Sequence, residues 1–116
     1  MGIAATVIDM MTMPTVALEL QTRVDEQRTT VLVAGELDLS SAKQLRAAVR
    51  RVLDTNPAAL RLDLSILGFI DSTGLGVLIG ARRAAVAANV PFEVVPSPPV
   101  RALLERTGLR GWFGLP

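Results

Sequence analysis

Apolar and polar residues alternate along residues 16–24, where the even positions carry apolar or β-branched side chains. This period of two predicts a half-buried β-strand. Residues 29–34 form a second stretch rich in β-branched side chains, and Gly35 is predicted to end it. Because only the polar residues 25–28 separate the two stretches, the sequence predicts an antiparallel hairpin.

A helical period replaces the alternation further along the chain. Within residues 42–53 apolar side chains recur every three to four positions, which predicts an α-helix. Ser40 or Ser41 is predicted as its N-cap, and the Asn-Pro pair at 56–57 is predicted to stop it.

The remaining pattern alternates short strands with helices. Residues 60–64 and 91–95 are predicted strands, and residues 72–89 are a predicted helix that follows a short loop. A last short helix is predicted over residues 100–107, with Gly108 as its C-cap. The resulting order is β-β-α-β-α-β-α.

This order indicates an α/β fold in which helices pack on a mixed sheet of four to five strands. Residues 15–116 are predicted to form one domain, since no linker or repeat interrupts them. Residues 1–14 are predicted to be a flexible leader.

The helix predicted over residues 72–89 has two different sides. A stripe of mostly small side chains is predicted to lie on the sheet: Val77, Leu78, Ala81, Ala84, Ala85 and Ala88. The opposite side carries Leu75, Ile79, Arg82, Arg83 and Val86. Apolar residues beside arginines suit a protein interface. Burial under the C-terminal segment, where Trp112 and Phe113 are predicted to cover the core, explains them equally well.

Composition removes most catalytic chemistry. The 116 residues contain no histidine and no cysteine, so a Ser-His-Asp triad, a thiol nucleophile and His or Cys metal ligands are all excluded. A net charge of +1 and few aromatic residues argue against a nucleic-acid surface. We therefore expect no cofactor, no metal and no enzymatic activity.

The segment Asp71-Ser72-Thr73-Gly74 carries the remaining chemistry, because it lies where a helix is predicted to begin. Free N–H groups and the helix dipole favour negative charge at such a position. Ser72 is interpreted either as an ordinary N-cap or as a site of regulatory phosphorylation. Gly74 and Gly76 either ease packing or let a partner's backbone approach.

Four segments together resemble a known family: Gly35-Glu36-Leu37-Asp38, Ser41-Ala42, Leu62-Asp63-Leu64-Ser65, and the stretch 69–78. They resemble the STAS domain and, more narrowly, the bacterial anti-sigma factor antagonists. The resemblance covers residues 16–113. It implies a single STAS-like domain of the predicted α/β architecture.

The resemblance also implies a function. Such proteins bind an anti-sigma factor that is an ATP-dependent serine kinase, and they thereby free a sigma factor for transcription. The kinase phosphorylates the serine that corresponds to Ser72, which weakens the complex, and a phosphatase resets it. Asp38 is expected beside that serine, either as a loop or cap carboxylate or as a contact that orients the kinase complex.

Further expectations accompany this function. The protein is expected in the cytoplasm, without direct contact to a membrane or to nucleic acid, and a weak homodimer is left open. The expected partner-contact residues are Glu36, Asp38, Asp71, Thr73, Gly74, Leu75, Gly76, Ile79 and Arg82.

Two other classes of function are alternatives to this one. A regulatory subunit of a membrane lipid-transport ATPase would use the same helix side against a nucleotide-binding subunit. A small hydrolase is disfavoured, because the sequence offers no recognisable base for Ser72.

Overall fold

A computed structural model describes residues 17–116 of the chain; the leader and the predicted start of the first strand lie outside them. Five strands and three helices follow one another along the chain. They are β1 (Glu19–Val24), β2 (Thr29–Leu37), α1 (Ala42–Leu53), β3 (Leu60–Asp63), β4 (Leu67–Ile70), α2 (Ser72–Ala87), β5 (Phe92–Val95) and α3 (Pro98–Arg106).

The five strands form one mixed sheet in the order β1-β2-β3-β5, with β4 paired to β2. β1 and β2 are antiparallel, as predicted, whereas β3, β4 and β5 join the sheet by parallel pairing. The α/β class and the predicted succession of strands and helices are confirmed, with one further strand, β4, between β3 and α2.

The turn of the hairpin is held by Asp25, whose Oδ1 accepts hydrogen bonds from the N–H groups of Gln27 at 2.8 Å and Arg28 at 3.0 Å.

The prediction that Gly35 ends the second strand is wrong. β2 continues to Leu37 through an irregularity between Gly35 and Glu36. Gly35 has φ +100°, and a Cβ there would collide with the carbonyl oxygen of Ala17. Glycine at this position therefore bends the strand without ending it.

The extension of β2 creates a pairing that the sequence did not reveal. Its last residues pair with β4, in a segment predicted to be loop. β4 has only four residues, Leu67 and Ile70 are buried while Gly68 and Phe69 are exposed, and the pattern therefore lacks a period of two. This pairing is important because it brings the ends of β2 and β4 together.

The core lies between one face of the sheet and helices α1 and α2. The buried residues of α1 follow the predicted helical spacing: Ala42, Leu45, Ala48, Val49 and Val52. Val31 and Val33 of β2 and Leu60 and Leu62 of β3 are completely or almost completely buried opposite the helices. At the sheet edge the prediction of a half-buried strand is only partly correct, since Val24 remains 73% exposed.

The side of α2 that is buried differs at its margins from the predicted stripe of small residues. Val77, Leu78, Ala81 and Ala85 are buried as predicted, but Ala84 and Ala88 are exposed. Leu75, predicted on the opposite side, belongs to the core with 9% exposure. It lies three residues before Leu78 and therefore on the same helix face.

The C-terminal segment covers the core, as predicted. Phe113 is buried, and its ring meets that of Trp112 edge-on, with centroids 4.9 Å apart. The last helix begins at Pro98, earlier than predicted, because proline is tolerated in a first helical turn. Among residues 17–116, none of the helices combines the length and apolar character that a membrane crossing requires.

Candidate functional site

The ends of β2 and β4 bring two loop segments side by side. Leu37 pairs with Ile70, and the N–H of Asp71 donates to the carbonyl of Leu37 at 3.3 Å. Asp38 follows directly after one strand and Asp71 after the other. The two motifs that are separate in sequence therefore meet at the carboxyl edge of the parallel strands, where α/β proteins commonly bind ligands.

Asp71, and not Ser72, is the N-cap of α2. Asp71 has an extended backbone, and its side chain accepts a hydrogen bond from the N–H of Gly74 at 2.9 Å. Ser72 is the first helical residue. The interpretation of Ser72 as the capping residue is therefore wrong.

Because Asp71 caps the helix, the Ser72 hydroxyl is left without a hydrogen-bond partner in the described residues. Ser72 is exposed, and its hydroxyl forms no hydrogen bond with any residue of the described range 17–116. Within that range the backbone N–H groups of Ser72 and Thr73 also lack an acceptor, whereas Gly74 and Leu75 donate to Asp71. Two free donors at the start of a 16-residue helix favour an anion at this position.

The two glycines of the motif have different surroundings. A Cβ on buried Gly74 would lie 2.7 Å from the carbonyl oxygen of Leu37 and 2.8 Å from Cγ1 of Ile70. Gly74 thus permits close packing of α2 on the sheet. A Cβ on exposed Gly76 would meet nothing within 4 Å, so packing within residues 17–116 does not require that glycine.

The neighbouring loop is organised by Asp38 and Ser41. Asp38 Oδ1 accepts hydrogen bonds from the Ser40 hydroxyl at 2.7 Å and the Ser40 N–H at 3.0 Å. The bond from the Ser40 hydroxyl is the main cause that lowers the pKa of Asp38, against the opposing effect of burial. Asp38 therefore holds its own loop in shape and remains ionised near neutral pH.

Ser41 occupies the predicted N-cap position of α1, but its hydroxyl does not cap the helix. It donates to the carbonyl of Glu36 at 2.8 Å and accepts from the N–H of Asp38 at 3.0 Å. These bonds fix the path of the chain from Glu36 to α1. Asp38 directly follows Leu37, whose carbonyl accepts the hydrogen bond from the N–H of Asp71.

Exposed apolar side chains border the site and are absent from the predicted contact residues. Leu39 follows Asp38 and is 79% exposed, and Phe69 of β4 is 45% exposed. Phe69 points away from the core because it precedes the buried Ile70 in an extended strand. In the sequence, the only sign that Leu39 belongs to the site is its position directly after the motif aspartate, Asp38.

The predicted contact residues are only partly assembled around Ser72. Glu36 pairs with Phe69, and Asp71 and Thr73 flank the serine. Leu75 is buried, which removes its side chain from the surface. Ile79 and Arg82 lie about 10 and 15 Å along the helix from Ser72, at 1.5 Å per residue.

The far end of this helix side is covered by the C-terminal segment. The guanidinium of Arg82 lies over the Trp112 ring, 4.3 Å from its centroid. Arg83 and Val86 remain exposed. Cover by the C-terminal segment therefore explains Arg82, which contacts Trp112. The interpretation as a protein interface stays open for the exposed Arg83 and Val86.

The chain matches a family model described as "Mlab, STAS domain" over residues 20–115. One curated relative, the anti-sigma-F factor antagonist RsfB of Mycobacterium tuberculosis, is 40% identical over 63 residues, which are 54% of this chain and 51% of the relative. An anti-sigma F factor antagonist of Lysinibacillus sphaericus is 30% identical over 98 residues, or 83% of this chain and 81% of the relative. The match to the first of these therefore spans about half of its length.

Solved structures of similar proteins share the fold. A crystal structure of an anti-sigma factor antagonist from Mycobacterium paratuberculosis matches with a TM-score of 0.78 and 30% identity, covering 85% of both chains. The Bacillus cell fate determinant SpoIIAA in its phosphorylated form matches with a TM-score of 0.61 and 28% identity, covering 83% of this chain and 87% of that one. The chain belongs to the STAS-domain family, among the anti-sigma factor antagonists.

Proposed function

We propose that this protein binds an anti-sigma factor with serine-kinase activity and is released when Ser72 is phosphorylated. The observation that carries the proposal is the exposed Ser72 hydroxyl, which Asp71 frees from capping. The contact region is named the Ser72 surface. It consists of Glu36, Asp38, Leu39, Phe69, Asp71, Ser72, Thr73 and Gly76.

The Ser72 surface combines an apolar part with an acidic part. Leu39 and Phe69 are exposed and supply apolar area, of which each 100 Å² removed from water contributes about 2.5 kcal/mol. Glu36, Asp38 and Asp71 supply negative charge. We therefore expect the partner to present a basic surface with an apolar pocket.

The proposed modification is transfer of one phosphoryl group. The Ser72 oxygen attacks the γ-phosphorus of ATP on the kinase, the bond to the β-phosphate oxygen breaks, and ADP leaves. The hydroxyl proton passes to a base that the kinase supplies. Asp38 has a positioning role in this proposal, because its Oδ1 accepts the hydrogen bonds from Ser40 that hold the loop beside the site in shape.

Phosphorylation is expected to act on the interface and not on the fold. A phosphate adds about −1.5 to −2 charges at neutral pH. The start of α2 stabilises that charge by roughly 0.3–1 kcal/mol, while Asp71 and Asp38 oppose it. Burying the same charge against a partner without a compensating cation costs several kcal/mol. The penalty is therefore paid mainly in the complex.

Reversal requires a phosphatase that hydrolyses the phosphate ester. The exposed position of Ser72 on the first turn of α2 supports this step, since the ester is reachable without unfolding. Hydrolysis returns the hydroxyl and restores binding.

The proposal is tested by recovering the partner from the native cytoplasm with the purified protein and then adding ATP. We expect recovery of a kinase that binds a sigma factor, and phosphate at Ser72 by mass spectrometry. Ser72→Ala should still capture the partner but remain unmodified, whereas Ser65→Ala, at another exposed serine, should behave as the wild type. Recovery of a membrane ATPase in place of the kinase, or phosphate on another residue, would overturn the proposal.

A further inference from the structure

A groove of about 350 Å³ lies between α1 and α2, away from the Ser72 surface. It runs along α1 from Arg46 to the C-cap residue Asp54, and along α2 from Val77 to the C-cap residue Ala88. Gly80, near its centre, is about 12 Å from Ser72 along the helix, at 1.5 Å per residue. The groove is therefore a feature separate from the phosphorylation site.

The floor of the groove is apolar, and one of its walls carries only glycine and alanine. Val49, Val77 and Ala81 are buried beneath it, and Leu53 is partly buried. The wall on α2 is built from the exposed residues Gly80, Ala84 and Ala88. A Cβ on Gly80 would meet nothing within 4 Å, so packing within residues 17–116 does not explain a glycine there.

The opposite wall carries unpaired positive charge. Arg46 and Arg50 line the groove from α1, and both are exposed. Neither forms an ion pair with a carboxylate in the described part of the chain, where arginines pair with carboxylates at Arg61–Glu93 and Arg110–Glu105. Asp54 is the one acidic residue among the lining residues. The charge of this wall therefore complements an anionic occupant.

The shape of the groove favours a helix over a small molecule. Gly80, Ala84 and Ala88 are spaced by four residues, which is the spacing of the rows that form grooves between ridges in helix packing. The stretch from Val77 to Ala88 is about 17 Å long, or three helical turns. Exposed residues line both walls, whereas small-molecule sites enclose about 70–90% of their ligand.

We propose that the α1–α2 groove is a second docking surface, which binds an amphipathic helix of a partner protein with acidic residues along one margin. Apolar side chains of that helix at positions i, i+3 and i+4 would lie on Val49, Val77 and Ala81. Its carboxylates would pair with Arg46 and Arg50. This surface is independent of Ser72, so a partner bound there stays attached when Ser72 is modified.

The test uses a synthetic 14-residue helical peptide with leucines along one face and glutamates along one margin of that face. A second peptide replaces every glutamate with lysine. Each is titrated into the 15N-labelled full chain, and its dissociation constant is measured from the amide shifts. We expect saturable shifts within residues 46–54 and 77–88, and at least about tenfold tighter binding of the glutamate peptide at low salt.

Matched variants separate the groove from the rest of the surface. Gly80→Leu fills the groove and Arg46→Glu reverses its charge, and each should weaken binding of the glutamate peptide at least about tenfold. Ala87→Leu and Arg83→Glu make the same kinds of change at exposed positions of α2 outside the groove, and each should bind within about twofold of the wild type. Ser72→Asp should also leave peptide binding unchanged.

Three results would overturn the proposal. The first is absence of saturable shifts with the glutamate peptide, and the second is equal binding by Gly80→Leu and Ala87→Leu. The third is shifts in the groove that depend on protein concentration alone and coincide with a dimer in sedimentation, since the occupant would then be a second copy of the chain. Thermal unfolding of Gly80→Leu serves as the control for folding.

Discussion

The carboxylate of Asp71 accepts a hydrogen bond from the backbone N–H of Gly74 at 2.9 Å and thereby caps the helix that Ser72 begins. The neighbouring serine is left with an exposed hydroxyl that has no bonding role within the described residues. The helix cap and the proposed phosphorylation site are thus adjacent residues. The serine can be altered without loss of the helix cap.

This division of roles predicts different stabilities for two alanine variants. Asp71→Ala should lower the free energy of unfolding by about 1 kcal/mol, because the N–H of Gly74 loses its acceptor. Ser72→Ala should change it by less than about 0.5 kcal/mol. Urea denaturation of both variants measures the difference. A loss as large in Ser72→Ala as in Asp71→Ala would mean that the serine is the cap.

The glycines of α2 should respond to alanine in opposite directions. Gly80→Ala should raise the free energy of unfolding by roughly 0.5–1 kcal/mol, because alanine favours a helix interior and its Cβ meets nothing. Gly74→Ala should lower it by about 1–3 kcal/mol, because the new Cβ would crowd Leu37 and Ile70. Chemical denaturation of the two variants checks both signs. If both were stabilising, the close packing at Gly74 would be refuted.

Acid should destabilise the protein through Asp25 and Asp38. Hydrogen bonds from the N–H groups of Gln27 and Arg28 lower the pKa of Asp25 below its usual 3.8, and the Ser40 hydroxyl does so for Asp38. A carboxyl whose pKa is lower in the folded state stabilises the fold above the unfolded-state pKa. That contribution is lost as the pH falls through the lowered value.

We therefore expect the melting temperature to fall below about pH 4. Asp25→Asn should make that fall shallower, since its amide oxygen still accepts both N–H bonds but does not titrate. Glu26→Gln, in the same turn, controls for the loss of one negative charge. Identical slopes for the wild type and Asp25→Asn would contradict this assignment.

Leu39 should contribute to partner binding and not to stability. It is 79% exposed, so Leu39→Ala should leave the melting temperature unchanged but weaken binding of the anti-sigma factor about tenfold or more, as loss of an interface anchor does. Val86→Ala alters another exposed apolar residue, 57% exposed, outside the Ser72 surface. Calorimetric titration compares the two. Equal affinities would remove Leu39 from the interface.

Much of the fold could be predicted from the sequence, because the strands and helices around the core have regular apolar periods. The inner side of α1 agrees residue by residue with its pattern. β4 could not be predicted in this way, since four residues with buried ends carry no period. Its pairing with β2 depends on the bend at Gly35, which is a tertiary feature.

The position of Ser72 at a helix start was predicted, but the arrangement of the residues around it was not. The motif located Ser72 at a helix start, yet the choice of cap depended on the extended backbone of Asp71, which is set by the sheet that precedes it. The exposure of Phe69 could not be foreseen either, because it depends on which side of β4 faces the core, and a strand of four residues does not reveal this in sequence. Leu39 lies in the loop after β2, where no apolar period indicates which side chains are buried.

The proposed switch depends on one comparison of affinities. Calorimetry should measure binding of the purified anti-sigma factor, without ATP, to the unmodified chain and to the chain carrying phosphate on Ser72. We expect the phosphorylated form to bind at least about 100-fold more weakly, equivalent to roughly 2.7 kcal/mol, while its amide spectrum changes only around the Ser72 surface. Equal affinities, or a spectrum altered throughout the core, would contradict a switch that acts by charge at the interface.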